Sequence, residues 1–338
     1  MKLTEQKYAQ YALCKEMLET VDVIRNFKTK DLSKAVDSLK KTKKLFMTGE
    51  GSSRIFPAKH TINLIQKNGF GLTAYTEGSR QAAELKLNEF TVFGASNSGK
   101  TKEVISLFKN KETAGKFALI AHENTPLGAI SEDEYILNCG NEDAVAATKS
   151  VIEQALFYHQ LMKTFIGAAA DQCSATMSEL ADKSKEVLEM DIDPELIAAI
   201  AKADVIYFAG RNVGVAEEAA LKTNEITRKK SGYLEGTYAA HGIEEVMTKN
   251  EVVIVVDPYK EEEGKFKEVL VDGVGMKVIA ISDHDTMFPT IKIPSMSCHD
   301  AYLQLQACWN VLVEVGIACG VDLDHPTRAR KVGNEFIG

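Results

Sequence analysis

From Phe90 to Asn110 the chain reads FTVFGASNSGKTKEVISLFKN. An apolar strand-like run enters a loop of Gly, Ser and Asn, and the loop enters KEVISLFKN, whose Val104, Ile105, Leu107 and Phe108 fall at helical intervals. A third apolar run, Phe117 to Ala121, follows at once. Strand, small-residue loop, helix and strand in succession are the rhythm of a parallel, doubly wound sheet. The same rhythm precedes this stretch: Lys44 to Gly49 enters GEGSSR (residues 49 to 54) and then FPAKHTINLIQKNG, a helix pattern that stops at Gly69.

The rhythm also returns later. Val205 to Ala209 enters GRNVG and VAEEAALKTNEITRKK, Val252 to Val256 enters DPYKEEEGK, and Val278 to Ile281 closes the second unit. The period is too long for a solenoid and fits a duplicated domain. The expected fold is therefore α/β, with two tandem, doubly wound parallel sheets flanked by helices in three layers, flavodoxin-like. The expected organisation is an N-terminal helix over 1–30, a first domain over 31–185, a second over 186–323 and a C-terminal tail over 324–338. Tyr8, Tyr11, Ala12, Met17, Leu18, Val21 and Ile24 carry the first helix, and helices from about 150 to 190 join the halves. Trp309 and its neighbours Leu303, Leu305, Val311 and Leu312 read as a helix core.

The bulk numbers narrow the partners. The 338 residues are 45% hydrophobic and 26% charged, enough chain for two cores, and the formal net charge is −8. With no run of five or six basic residues, a nucleic-acid backbone is an unsuitable partner. No apolar run reaches the length that spans a bilayer, and the N-terminal residues lack a signal-peptide core, so no membrane partner and a cytoplasmic location are expected. Cys14, Cys139, Cys173, Cys298, Cys308 and Cys319 show no C-x-x-C pairing and read as reduced thiols, with no metal site.

The loop itself supports two chemistries. Gly94 to Thr101 fits G-x-x-x-x-G-K-[ST] letter for letter, and the apolar run ending at Asp257 would pass as the acidic strand of a nucleotide hydrolase. In the repeat, however, VVIVVD falls opposite FTVFGAS, which places Asp257 in the other half. Alternatively, Ser96, Asn97, Ser98 and Thr101 offer side-chain donors beside the free N–H groups that open the next helix, a setting that holds a phosphate monoester. Ser53, in the loop of the neighbouring strand, adds a hydroxyl.

Ser96 to Glu103 resembles the S-x-S-G-x-T-x-[DE] signature of the sugar isomerase (SIS) domain family, Gly51-Ser52-Ser53 its first phosphate loop, and Glu142 to Ser150 its E-x-x-V-A-[ST]-T-K-[AS] segment. The likeness spans about 300 residues and is closest in layout to the isomerase module of glucosamine-6-phosphate synthase, the aminosugar-phosphate deaminases and the fructosamine-6-phosphate deglycases. It implies two tandem SIS domains, a sugar phosphate in the serine loop, Val145 and Ala147 as further substrate contacts, and no cofactor. In the second half, Glu218 to Ile226 resembles the family's E-G-A-L-K-x-K-E-I helix, with Lys222 and Glu225 at its active-site positions. His241-Gly242 matches the family's H-G, whose histidine comes from a partner subunit, implying a homodimer with a shared site. Asp324 to Lys331 resembles D-x-P-R-x-L-x-K, with Lys331 as the sugar-binding tail lysine.

These residue types suit carbonyl migration between C1 and C2. Glu225 would shuttle the proton, His241 would act on ring opening, Lys222 would hold the carboxylate ionised or stabilise an enolate oxygen, and Lys331 would neutralise the intermediate or form an imine. The chain departs from the pattern near His241: Tyr238 stands where the family has glutamate, Ile243 where it has proline, and Glu235 is the nearest upstream carboxylate. The second half also has Asp257-Pro258-Tyr259 in place of a serine loop, which implies one phosphate site per chain. The resulting expectation is a phosphosugar isomerase, or an aminosugar-phosphate deaminase or deglycase, without a glutaminase domain. A non-catalytic sugar-phosphate sensor is the alternative, and a nucleotide hydrolase a remote one.

Overall fold

The computed structural model describes residues 1–167, 176–331 and 333–337. Two five-stranded sheets, all of their strands parallel, organise them. The first contains β1 (Lys44–Thr48), β2 (Thr73–Glu77), β3 (Thr91–Ala95), β4 (Gly115–Ile120) and β5 (Asp133–Ile136), in the order β2-β1-β3-β4-β5. The second contains β6 (Val205–Gly210), β7 (Lys230–Glu235), β8 (Val252–Val256), β9 (Lys277–Ser282) and β10 (Thr290–Lys292), in the order β10-β9-β8-β6-β7. Read from the other edge, the second order repeats the first, so β8 is the counterpart of β3. Asp257 and the serine loop accordingly belong to different sheets.

The chain divides into two compact units. One comprises 1–22, 143–146 and 175–329 and holds the second sheet; the other comprises 23–142, 147–174 and 330–338 and holds the first. Asp324 Oδ2 and Oδ1 accept from the N–H groups of Ala12 and Leu13, both at 2.8 Å, and so cap the helix Ala12–Arg25 from the far end of the sequence.

Position in the sheet explains the composition of each strand. β3 and β8 are buried at all five positions, which suits their continuous apolar runs, since central parallel strands are covered on both faces. Phe93 on β3 sits in an aromatic cluster, its ring 5.3 Å from Phe117, 5.8 Å from Phe157 and 5.7 Å from Tyr158. On the opposite face the helix Lys102–Asn110 lies directly against Gly94, where a Cβ would meet the Phe108 ring at 2.7 Å. Only glycine allows that approach. Trp309, Leu303, Leu305, Val311 and Leu312 are buried on the helix Asp300–Ala318, as the sequence pattern implies.

The cysteine reading needs correction. Cys14, Cys139, Cys308 and Cys319 are free, but Cys298 is disulfide-bonded. It is half-buried in the turn before Asp300–Ala318 and is not the reduced thiol expected. Cys173 lies outside the described residues. Among the described residues no helix is long and apolar enough to cross a membrane.

Candidate functional site

In the first sheet the chain leaves β1 toward β2 on one side and reaches β3 on the other. The crevice beyond the carboxyl ends of β1 and β3 is thus the topological switch point, where open α/β sheets bind ligands. The two loops singled out in the sequence border it. Gly51–Ser53 forms a single 3₁₀ turn after β1 and leads into the helix Ile55–Asn68. Ser96 to Thr101 follows β3 and leads into Lys102–Asn110.

The serine loop is internally braced. The Ser96 and Thr101 hydroxyls are 2.8 Å apart, the Ser98 hydroxyl accepts from the Lys100 N–H at 3.2 Å, and the Gly99 N–H donates to the Ser96 carbonyl at 2.9 Å. Gly99 has φ +62°, and a Cβ there would lie 2.4 Å from the Thr125 side chain, so both conformation and space demand glycine. Lys100 is committed elsewhere, its Nζ 3.1 Å from Glu335, which is not the use a nucleotide-binding lysine would have. Asn97 donates from Nδ2 to Glu142 at 3.0 Å, while its Oδ1 is buried without a hydrogen-bond partner. Thr148 Oγ1 is in the same state. Unmet buried polar atoms cost about 1–3 kcal/mol each, so polar groups of a bound molecule would be welcome there.

Glu142 is the residue the sequence motif contained without assigning a role. Its side chain is fully buried, accepts from the Thr148 N–H at 2.7 Å and the Ser150 hydroxyl at 2.7 Å, and lies 3.6 Å from Lys331 Nζ. Burial pushes the carboxyl pKa up, but Lys331 and the hydrogen bonds from Thr148 and Ser150 together outweigh it and hold the group below its ordinary value. Lys331 therefore sits in the same unit as the serine loop. Ala147 belongs to that unit too, whereas Val145 belongs to the other, where its N–H donates to the Asp324 carbonyl at 3.2 Å.

The second unit carries a separate ionic group. The helix Val215–Thr227 places Glu218, Lys222 and Glu225 on one face. Lys222 is fully buried, with Nζ 2.8 Å from Glu225 Oε2 and 3.5 Å from Glu218 Oε1. Glu218 is as deeply buried, while the Glu225 side chain is 22% exposed and is the member that can meet a solute. The resemblance singled out Lys222 and Glu225 but left Glu218 without a role, although it lies one turn before the lysine.

His241 lies on the exposed loop after β7 and, among the described residues, no hydrogen bond or ion pair joins its imidazole to Glu225. Tyr238 is 49% exposed beside it, and Glu235 ends β7. At the end of β8, Arg211 pairs with the Asp257 carboxylate at 2.6 Å and stacks over Tyr259, so Asp257 is no bare negative charge. What distinguishes that turn from the serine loop is its lack of serine and threonine side chains.

No protein-family model matches the chain, and no curated protein matches it in sequence. Solved structures do match its fold. The C-terminal domain of glucosamine-fructose-6-phosphate aminotransferase from Francisella tularensis aligns with a TM-score of 0.76 at 18% identity, covering 95% of this chain and 100% of that one. Tagatose-6-phosphate ketose/aldose isomerase from Escherichia coli aligns at 0.76 and 16%, covering 96% and 99%. Glucosamine-6-phosphate deaminase from Thermotoga maritima aligns at 0.72 and 18%, covering 98% and 100%. At such identities the likeness is one of fold.

Proposed function

We propose that the protein converts a phosphorylated hexose or aminosugar, either by aldose-ketose isomerisation or by releasing an amine from C1 or C2. The observation that carries this reading is the pair of hydroxyl-bearing loops at the switch point of the first sheet, Gly51–Ser53 and Ser96 to Thr101, braced around helix N-termini. The fold neighbours named above, each named for a hexose 6-phosphate or its amino derivative, agree with it.

In this reading Ser53, Ser96, Asn97, Ser98 and Thr101 hold the phosphate, and Val145 and Ala147 line the sugar. Glu225 takes a proton from one carbon and returns it to its neighbour. Lys222, 2.8 Å from Glu225, holds that carboxylate in place and favours negative charge developing on the adjacent oxygen. His241 serves ring opening in a second copy of the chain, which makes the working unit a homodimer, and the tail brings Lys331 to the open-chain sugar.

Thermal shift with glucosamine 6-phosphate, galactosamine 6-phosphate, fructose 6-phosphate, a fructosamine 6-phosphate and ATP-Mg tests the binding half, and assays for ketose and ammonia test the chemistry. Stabilisation and conversion by a sugar phosphate, with conversion abolished in Glu225→Gln, is the expected result; full turnover in that variant refutes the role of Glu225. Stabilisation by ATP-Mg alone refutes the whole reading. A sensor is favoured by one observation, the exposed Tyr238 where a glutamate would accompany His241, and binding without conversion would establish it.

A further inference from the structure

We infer that Glu142 is a positioning residue: its single carboxylate sets Asn97 of the serine loop and Lys331 of the tail in one place. The inference rests on the proposed sugar-phosphate site and adds what holds it together. One oxygen, Oε1, accepts from the Thr148 N–H at 2.7 Å and the Ser150 N–H at 3.4 Å, at the start of the helix Lys149–Ile166. The other, Oε2, receives Asn97 Nδ2 at 3.0 Å and the Ser150 hydroxyl at 2.7 Å, with Lys331 Nζ at 3.6 Å. A side chain that caps a helix without belonging to it is fixed by backbone geometry. Whatever else it touches is fixed with it.

The tail has a second anchor a few residues on. The Lys102 N–H donates to the Asn334 carbonyl at 3.1 Å and the Phe336 N–H to the Lys100 carbonyl at 2.8 Å, forming an antiparallel bridge between Thr101 and Glu335. Asn334 Nδ2 also donates to Glu103 at 2.6 Å, and Phe336 packs on the core cluster that includes Val104 and Phe108. This strap ties Asn334 to Phe336 to the exit of the serine loop and does not itself hold Lys331. Glu142 does contact Lys331, and it also reaches the loop through Asn97. Phosphate ligands and the tail lysine thereby share one rigid reference.

Two readouts on the full chain test this, and the first needs no turnover. Loss of one screened ion-pair contact should raise the rate of trypsin cleavage after Arg330 about fivefold in Glu142→Gln and in Lys331→Met. Phe117→Leu, a core change elsewhere in the same unit, should lower the melting temperature without that increase. Lys331→Met leaves the other Glu142 bonds in place, so it decides the matter even if Glu142→Gln fails to fold. The second readout is conversion of fructose 6-phosphate or glucosamine 6-phosphate. Each single variant should lower kcat at least about tenfold, and the double variant should lose less than the product of the two single losses, because both remove the same Glu142–Lys331 contact while Glu142→Gln also loosens Asn97. Unchanged cleavage in both variants, or losses that multiply, would overturn the inference. A wild-type chain that neither binds nor converts any of these sugars would instead refute the proposed function, and the cleavage rates would still decide what Glu142 positions.

Discussion

Lys222 shows how far a residue's surroundings can depart from its sequence context. A Lys and a Glu three apart on a helix are most often a solvated pair, yet here the ammonium is fully buried between Glu225 and Glu218. Removing it takes a cation away from buried Glu218 at 3.5 Å and from Glu225 at 2.8 Å, so Lys222→Met should cost about 3–5 kcal/mol, measurable as a lower urea midpoint. Glu142 supplies a second residue-scale prediction. Its native pKa lies below the ordinary 4.5, so its contribution to stability is complete above that pH and is lost as the pH falls through the lowered native value. Urea midpoints measured downward from pH 5 should therefore fall in the wild type and fall less in Glu142→Gln.

Among elements, β3 and the loop behind it carry the most constraint. Phe93→Ala should cost about 3–5 kcal/mol, since the ring is enclosed by Phe117, Phe157 and Tyr158. Gly99→Ala should weaken binding of fructose 6-phosphate more than it lowers the melting temperature, because its φ of +62° and the nearby Thr125 constrain the loop and not the core. A calorimetric titration beside a melting curve separates the two. The six strands buried as continuous apolar runs were legible in the sequence: β1, β3 and β4, and their counterparts β6, β8 and β9. The edge and half-buried strands were not. TAYTE of β2, KSGYLE of β7 and TIK of β10 carry polar residues at partly exposed positions, so their pattern resembles loop. The serine loop was legible because its chemistry is local. Glu142, Glu218 and the strap at Asn334 to Phe336 were not, because what they do depends on groups that only the fold brings near.

For the whole molecule, two sheets with separate core clusters imply two cooperative units. Scanning calorimetry should then give a calorimetric enthalpy larger than the van't Hoff enthalpy. Fructose 6-phosphate, if bound at the serine loop, should raise the transition of the unit holding β1 to β5 by mass action. An equal shift of every transition would contradict that localisation.

The division of the chain also has a consequence in time. Residues 1–22 belong with residues 175–329, and residues 23–174 come between them, apart from 143–146. During synthesis at roughly 5–20 residues per second, the helix Ala12–Arg25 waits roughly 15–60 s for the Asp324 carboxylate that caps it. The sheet of β1 to β5 is complete much earlier, but residues 330–338 of the same unit are made only after the whole of the second sheet. A nascent chain stalled before Lys331 would therefore carry the strands of the first sheet and the serine loop without the tail residues that bridge to that loop and to Glu142.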